Sequence, residues 1–172
     1  MNQSTKVTNV IVCGLGGQGV IKASDILADA ACRAGFDVKK AEIHGMSQRG
    51  GSVSSDVRFG REVLSPMVPA GEADYLVVVA DDQVANVRPL LRDGGVLIDS
   101  SLLGDTSQAP GKSLNVALLG ILSSYLPIEP RHWQDALEAN LDAKWHQANS
   151  RAFQAGFTLA TRRADADRHA AG

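Results

Sequence analysis

A three-layer α/β/α domain with a mixed, mainly parallel sheet and a helical C-terminal third is predicted for this 172-residue chain by three observations. Short Val/Ile-rich runs alternate with a segment of helical period in the first hundred residues, the pattern of strands joined by crossover helices. One run, residues 53–59, instead alternates with period two, which makes it a half-exposed strand and the sheet mixed. In the last third the strand signals give way to helical periods.

Residues 7–13 (Val-Thr-Asn-Val-Ile-Val-Cys) read as a buried strand, and a glycine run leads from it into a helix over 20–34. There Ala23, Ile26, Leu27, Ala30, Ala31 and Ala34 share one face, and Gly35 stops the helix. Residues 38–43 form a second short strand. Next comes a loop over 44–51, then the strand at 53–59, which Gly60-Arg61 is expected to turn into a hairpin with residues 62–65. Residues 73–80 contain Tyr-Leu-Val-Val-Val-Ala, a central strand covered on both faces. Asp81 is placed as the N-cap of a helix of about two turns that Pro89 limits. After Gly94-Gly95, residues 96–99 read as a further buried strand, and 104–112 as a polar loop. Residues 116–126 are apolar on most sides. Pro130 suits the first turn of another helix, and Trp145, Ala148, Ala152, Gly156 and Ala160 make a small-residue stripe along the last one. The expected domain is 1–162, with 163–172 a disordered tail.

A hydrophobic content of 44% over 172 residues is enough for one core. The formal net charge of −2 and the lack of a dense Lys/Arg run argue against nucleic-acid binding. No stretch approaches the ~18 apolar residues of a membrane span, and the apolar run after residues 1–5 is too short and too β-branched for a signal peptide, so a cytoplasmic location is expected. Cys13 and Cys32 lack paired-ligand spacing and read as small buried hydrophobes. Two cysteines cannot hold an iron–sulfur cluster that takes about four.

Two motifs carry the functional signal. Gly14-Leu15-Gly16-Gly17-Gln18-Gly19 has the G-x-G-x-x-G spacing between a strand and a helix, where glycines permit close backbone approach and a helix N-terminus favours an anion. Glu42 falls near the position of a ribose-binding acid, so a stand-alone Rossmann-like NAD(P)- or FAD-binding oxidoreductase is one reading; tight strand-to-helix packing is the other. Lys39-Lys40 is unusual for a strand buried on both faces. The second motif is His44-Gly45-Met46-Ser47-Gln48-Arg49-Gly50-Gly51, a polar run that no core needs. With no second His nearby, His44 reads as a loop residue that orients backbone or a partner, or as an acid–base. Arg49, beside flexible glycines, suits a phosphate or carboxylate clamp or an interface carboxylate. Trp133 and Trp145 read as packing residues, and Asp81-Asp82 as a helix cap.

Taken together, Gly14 to Val20 and His44 to Val53 resemble the gamma-type domain of 2-oxoacid:ferredoxin oxidoreductases, and the His-Gly-Met-Ser-Gln lead into Arg49-Gly50-Gly51 is most similar to the beta subunit of indolepyruvate:ferredoxin oxidoreductase. The resemblance covers nearly the whole chain, including residues 73–80, 94–99 and 149–156. It implies a thiamine-diphosphate-dependent conversion of an aryl pyruvate and coenzyme A to arylacetyl-CoA, carbon dioxide and two electrons. Gly104-Asp105 lacks the continuation of a thiamine motif, so thiamine diphosphate, Mg and [4Fe-4S] clusters are expected on a larger alpha-type catalytic subunit in an α2β2 complex. Ferredoxin or another acceptor would be reached through that partner, and this chain alone would be inactive. Gly14, Gly16, Gly17, Gln18, Gly19 and residues 44–51 form its expected ligand or partner loops, with no metal ligand and no certain catalytic residue.

Overall fold

Strands β1 (Thr8–Leu15), β2 (Asp37–His44), β3 (Ser52–Gly60), β4 (Ala73–Val78) and β5 (Leu91–Ile98) form one sheet in the order β2-β3-β1-β4-β5. The computed structural model describes residues 6–44, 51–104 and 113–170. The β1–β4 and β4–β5 pairs are parallel, while β3 is antiparallel to both of its neighbours, β1 and β2. β3 alone therefore runs against the other four strands, and the sheet is mixed as its alternating sequence required.

Period-two alternation sorts the strand residues between two cores. Val10, Val12, Val57 and Phe59 face α1 (Val20–Arg33), α3 (Leu114–Ser123), α4 (Pro130–Asn140) and α5 (His146–Ala170). Ile11, Cys13, Leu76 and Val78 face the opposite side, where Val84, Val87 and Leu90 from the short helix α2 (Val84–Val87) and its flanking 3-10 turns cover them. Helices thus lie on both sides, but very unequally. α1 buries Ala23, Ile26, Leu27, Ala30 and Ala31 through its apolar stripe, and Pro130 starts α4 in its first turn.

α3 and α5 touch backbone to backbone. A Cβ on Gly120 would lie 2.0 Å from the Phe153 carbonyl oxygen, and one on Gly156 would lie 2.0 Å from that of Ala117. No side chain fits at either position, which explains the small-residue stripe.

Several expectations are corrected. Residues 62–65 form no strand, because β1 and β2 already occupy both edges of β3. The segment is pinned instead by side chains: the Val63 amide donates to Asp37 (2.7 Å), the Val68 amide to Asp56 (2.8 Å), and Arg58 donates to the Ser65 and Met67 carbonyls (2.9 and 3.2 Å). β5 is an edge strand of which only Ile98 is fully buried, not a strand covered on both faces. β2 is the other edge, and this accounts for Lys39-Lys40. Asp81 does not cap a helix; it opens a 3-10 turn and accepts a hydrogen bond from Ser100 Oγ. Cys32 is exposed on α1 rather than buried. Residues 163–170 continue α5, where a tail was expected.

Two stability predictions follow from these contacts. Gly156→Ala must push α3 and α5 apart and should cost about 1–3 kcal/mol in urea unfolding. Asp74 is buried on β4 and accepts from the Asn9 amide, Lys6 and Arg92. Burial pushes its carboxyl up, but those donors outweigh burial and hold it below the ordinary carboxylate range. The stability it confers is therefore present above the unfolded value near 3.9 and lost as pH falls through the folded one. Asp74→Asn should cost about 1–3 kcal/mol at pH 7, a difference that shrinks in melts taken toward pH 3.

Candidate functional site

The two sequence motifs meet at the carboxyl end of β1. Gly14 pairs with Val53 across β1–β3, and Val53 pairs with His44 across β3–β2, so the start of the His44–Gly51 motif sits two strands from the glycine loop. Its far end is tied back directly, because the Gly16 amide donates to the Gly51 carbonyl at 3.0 Å. Gly45, Met46, Ser47, Gln48, Arg49 and Gly50 lie outside the described residues.

The glycine loop is closed by its own glutamine. Gln18 Oε1 accepts from the Leu15 amide at 2.7 Å, and the Gln18 amide donates to the Leu15 carbonyl at 3.2 Å. Gly17 and Gly19 take φ of 86° and 75°, a left-handed backbone that favours glycine. A Cβ on Gly14 would come within 2.8 Å of Gln18 Oε1.

His44 is exposed, with Nε2 3.6 Å from Glu42 Oε2. Glu42 in turn accepts from Lys40 at 2.7 Å, and Lys40 also bonds Asp25 at 2.5 Å. The Lys40 ammonium, with a smaller contribution from His44, holds the Glu42 carboxyl below its usual range. This arrangement removes the basis of the dinucleotide reading. A ribose-binding acid belongs at the end of the strand that lies parallel beside β1, whereas Glu42 is on β2, and antiparallel β3 intervenes. At ~4.8 Å per strand, Glu42 stands roughly 10 Å from the β1 axis.

Beside the glycine loop is a cleft of about 710 Å³. It opens where the connections from β1 and β4 leave in opposite directions along the sheet, the usual place for a ligand in such a fold. Gly17, Gln18, Gly19 and Lys22 line it together with Val79, and the rest of its wall is residues 113–116 at the α3 start with Leu141, Trp145, Ala148 and Asn149. Sequence reasoning did not assign this wall. Trp133 packs as expected, at 1% exposure, but Trp145 is 45% exposed on the cleft, with Lys144 Nζ 5.5 Å from its ring centre. Asn115, a lone amide in a mainly apolar helix, was the signal available: its Nδ2 donates to the Gly19 carbonyl at 3.0 Å and joins α3 to the glycine loop.

The donor set does not fit an iron–sulfur cluster. Cys13 is buried, and burial pushes its thiol up to about 12, the opposite of what a thiolate ligand needs. Cys32 is the only other cysteine. Among the described residues no group of three or more His, Cys, Asp or Glu could hold a metal ion, and no helix is long and apolar enough to cross a membrane.

Known proteins resemble the chain in both sequence and fold. It is 31% identical over 193 residues to the indolepyruvate oxidoreductase subunit IorB of Methanothermobacter thermautotrophicus, a match covering 88% of this chain and 97% of the relative. A shorter match, 41% identical over 96 residues, relates it to the subunit of the same name from Thermococcus kodakarensis; it covers 56% of this chain and 48%, about half, of that relative. The crystal structure of the keto/oxoacid ferredoxin oxidoreductase gamma subunit from Geobacter sulfurreducens shares the fold with a TM-score of 0.76 at 22% identity, over 90% of this chain and 99% of that one. Residues 9–110, more than half of the chain, match the family model described as pyruvate ferredoxin/flavodoxin oxidoreductase. The chain belongs to the pyruvate ferredoxin/flavodoxin oxidoreductase family.

Proposed function

We propose that this chain is the accessory beta/gamma-type subunit of a cytoplasmic 2-oxoacid:ferredoxin oxidoreductase acting on indolepyruvate or a related aryl pyruvate. The observation that carries the reading is its correspondence, along nearly the whole of that relative, with an indolepyruvate oxidoreductase subunit. The overall conversion joins the acyl group of the 2-oxoacid to the coenzyme A thiol, releases carbon dioxide and passes two electrons to ferredoxin. Thiamine diphosphate, Mg and [4Fe-4S] clusters on a larger alpha-type subunit, in an α2β2 assembly, supply the decarboxylation and electron transfer.

The part left to this chain is to bind and orient. The His44–Gly51 segment leaves and rejoins the sheet at the rim of the glycine loop, so both motifs reach a partner from one edge. Arg49, flanked by Gln48 and Gly50, is the cation suited to an anionic group of coenzyme A, and its fork geometry favours a phosphate. His44, paired with Glu42 at the base of the segment, orients it.

The isolated chain should be colourless, should turn over no 2-oxoacid, and should bind NAD(H) no more tightly than millimolar by calorimetry. Turnover without a second subunit would overturn the assignment. Co-expression with the larger subunit should shift elution to a complex burying more than about 2,000 Å² and raise the melting temperature of this chain.

Within that complex, Arg49→Ala should reduce kcat/KM for coenzyme A by roughly 10- to 150-fold, the worth of one lost charge-assisted contact. Decarboxylation assayed without coenzyme A should be nearly unchanged, and His44→Ala should give a smaller loss. Intact assembly with an unaltered coenzyme A KM and kcat would remove Arg49 from both binding and assembly.

A further inference from the structure

The cleft beside the glycine loop has a chemical polarity that the subunit assignment does not use. α1 and α3 both begin on it, at Gly19 and Ser113, and neither start has a side-chain cap. The first turn of α5 lines it as well, through Ala148 and Asn149. Uncapped helix starts leave backbone N–H groups directed outward and carry partial positive charge. Lys22 stands at the same end, exposed, and makes no hydrogen bond or ion pair among the described residues. This end calls for an anion.

Asn115 and Asn149 require something else. Each is only 8% exposed, and each spends its Nδ2 on a backbone carbonyl, of Gly19 (3.0 Å) and Trp145 (2.9 Å) respectively. Those bonds fix which end of each amide is oxygen. Neither Oδ1 accepts a hydrogen bond among the described residues, yet neither is sealed from solvent, and both residues line the cleft. Two nearly buried residues, each with an acceptor not used within the protein, therefore line the same space as the positive end. An unmet acceptor of this kind is costly unless a donor or water reaches it. A bare anion would be repelled by these oxygens. A ligand that carries N–H donors beside its negative group meets both ends of the cleft at once. The remaining wall, Leu114, Val116, Leu141 and the half-exposed Trp145 ring, is apolar.

We infer that this cleft binds a free α-amino acid with an apolar side chain: its carboxylate at Lys22 and the helix starts, its ammonium on the Asn115 and Asn149 amide oxygens, and its side chain against Leu114, Leu141 and Trp145. An ammonium supplies three donors for the two oxygens and the remaining water contact. The site stands on this chain alone, so failure to assemble with a larger subunit would leave it untouched.

The test is calorimetric titration of the full-length chain with L-leucine, L-phenylalanine and L-tryptophan. Each is compared with its 2-oxoacid, which lacks the ammonium, and its amine, which lacks the carboxylate. At least one amino acid should bind with submillimolar affinity, and both of its analogues at least tenfold more weakly. Lys22→Met, at an exposed position that leaves the fold intact, should weaken binding at least tenfold, and Asn149→Leu by a similar factor. The inference is overturned if no amino acid binds, if the 2-oxoacid binds as tightly as the amino acid, or if Lys22→Met leaves the affinity unchanged. Binding of coenzyme A at this cleft with no amino acid bound would overturn it equally.

Discussion

The insertion of β3, reversed, between β1 and β2 is the constraint from which the rest of this edge follows. Because β3 starts where β1 ends, the His44 end of β2 and the start of β3 both lie at the rim of the glycine loop. One backbone hydrogen bond, Gly16 to Gly51, then fastens the two together. The same insertion removes β2 from the flank of β1 and leaves Glu42 bonded to Lys40 instead of facing the loop. A six-residue glycine spacing common to many α/β proteins thus acquires a different neighbourhood here, set by strand order and not by the motif itself.

Much of the fold was legible because local pattern and burial agree. The alternation at 53–59, the apolar run at 73–80 and the helical stripe at 20–34 each reappear as β3, β4 and α1. The failures share a physical cause, since each depends on what lies beside an element. Residues 62–65 looked free to pair, but β3 had no open edge left. Val96 and Leu97 looked fully buried, but among the described residues no strand pairs with β5 on its outer side. Cys32 sits among apolar helix residues, yet on the outward arc of α1. The candidate site was half legible. Glycine spacing and a dense polar run are local signals, whereas Lys22, Asn115 and Asn149 come together only through tertiary packing.

The two sides of the sheet divide the labour of stability unequally. On one face residues of α1, α3, α4 and α5 join Val10, Val12, Val57 and Phe59 in a single core cluster that is the larger of the two. The other face depends on a four-residue helix, its 3-10 flanks and the pinned segment after β3. Backbone donors there are met by Asp37 and Asp56 rather than by a strand partner. Charged side chains therefore replace secondary structure where the layer is thinnest.

The close approach of α3 and α5 at Gly120 and Gly156 also acts at a distance. It lies about five residues along α3 from Asn115 and about seven along α5 from Asn149, or roughly 7 and 10 Å at the helical rise. The two helices run side by side in the same direction, so their closest approach works like the pivot of a pair of callipers whose jaws are the cleft walls. The aperture is then fixed by two absent side chains that never touch whatever lies between the jaws. A single methyl at the pivot would reset the gap without altering one lining residue, which makes these glycines a place where the fit of the cleft can change while its chemistry stays the same.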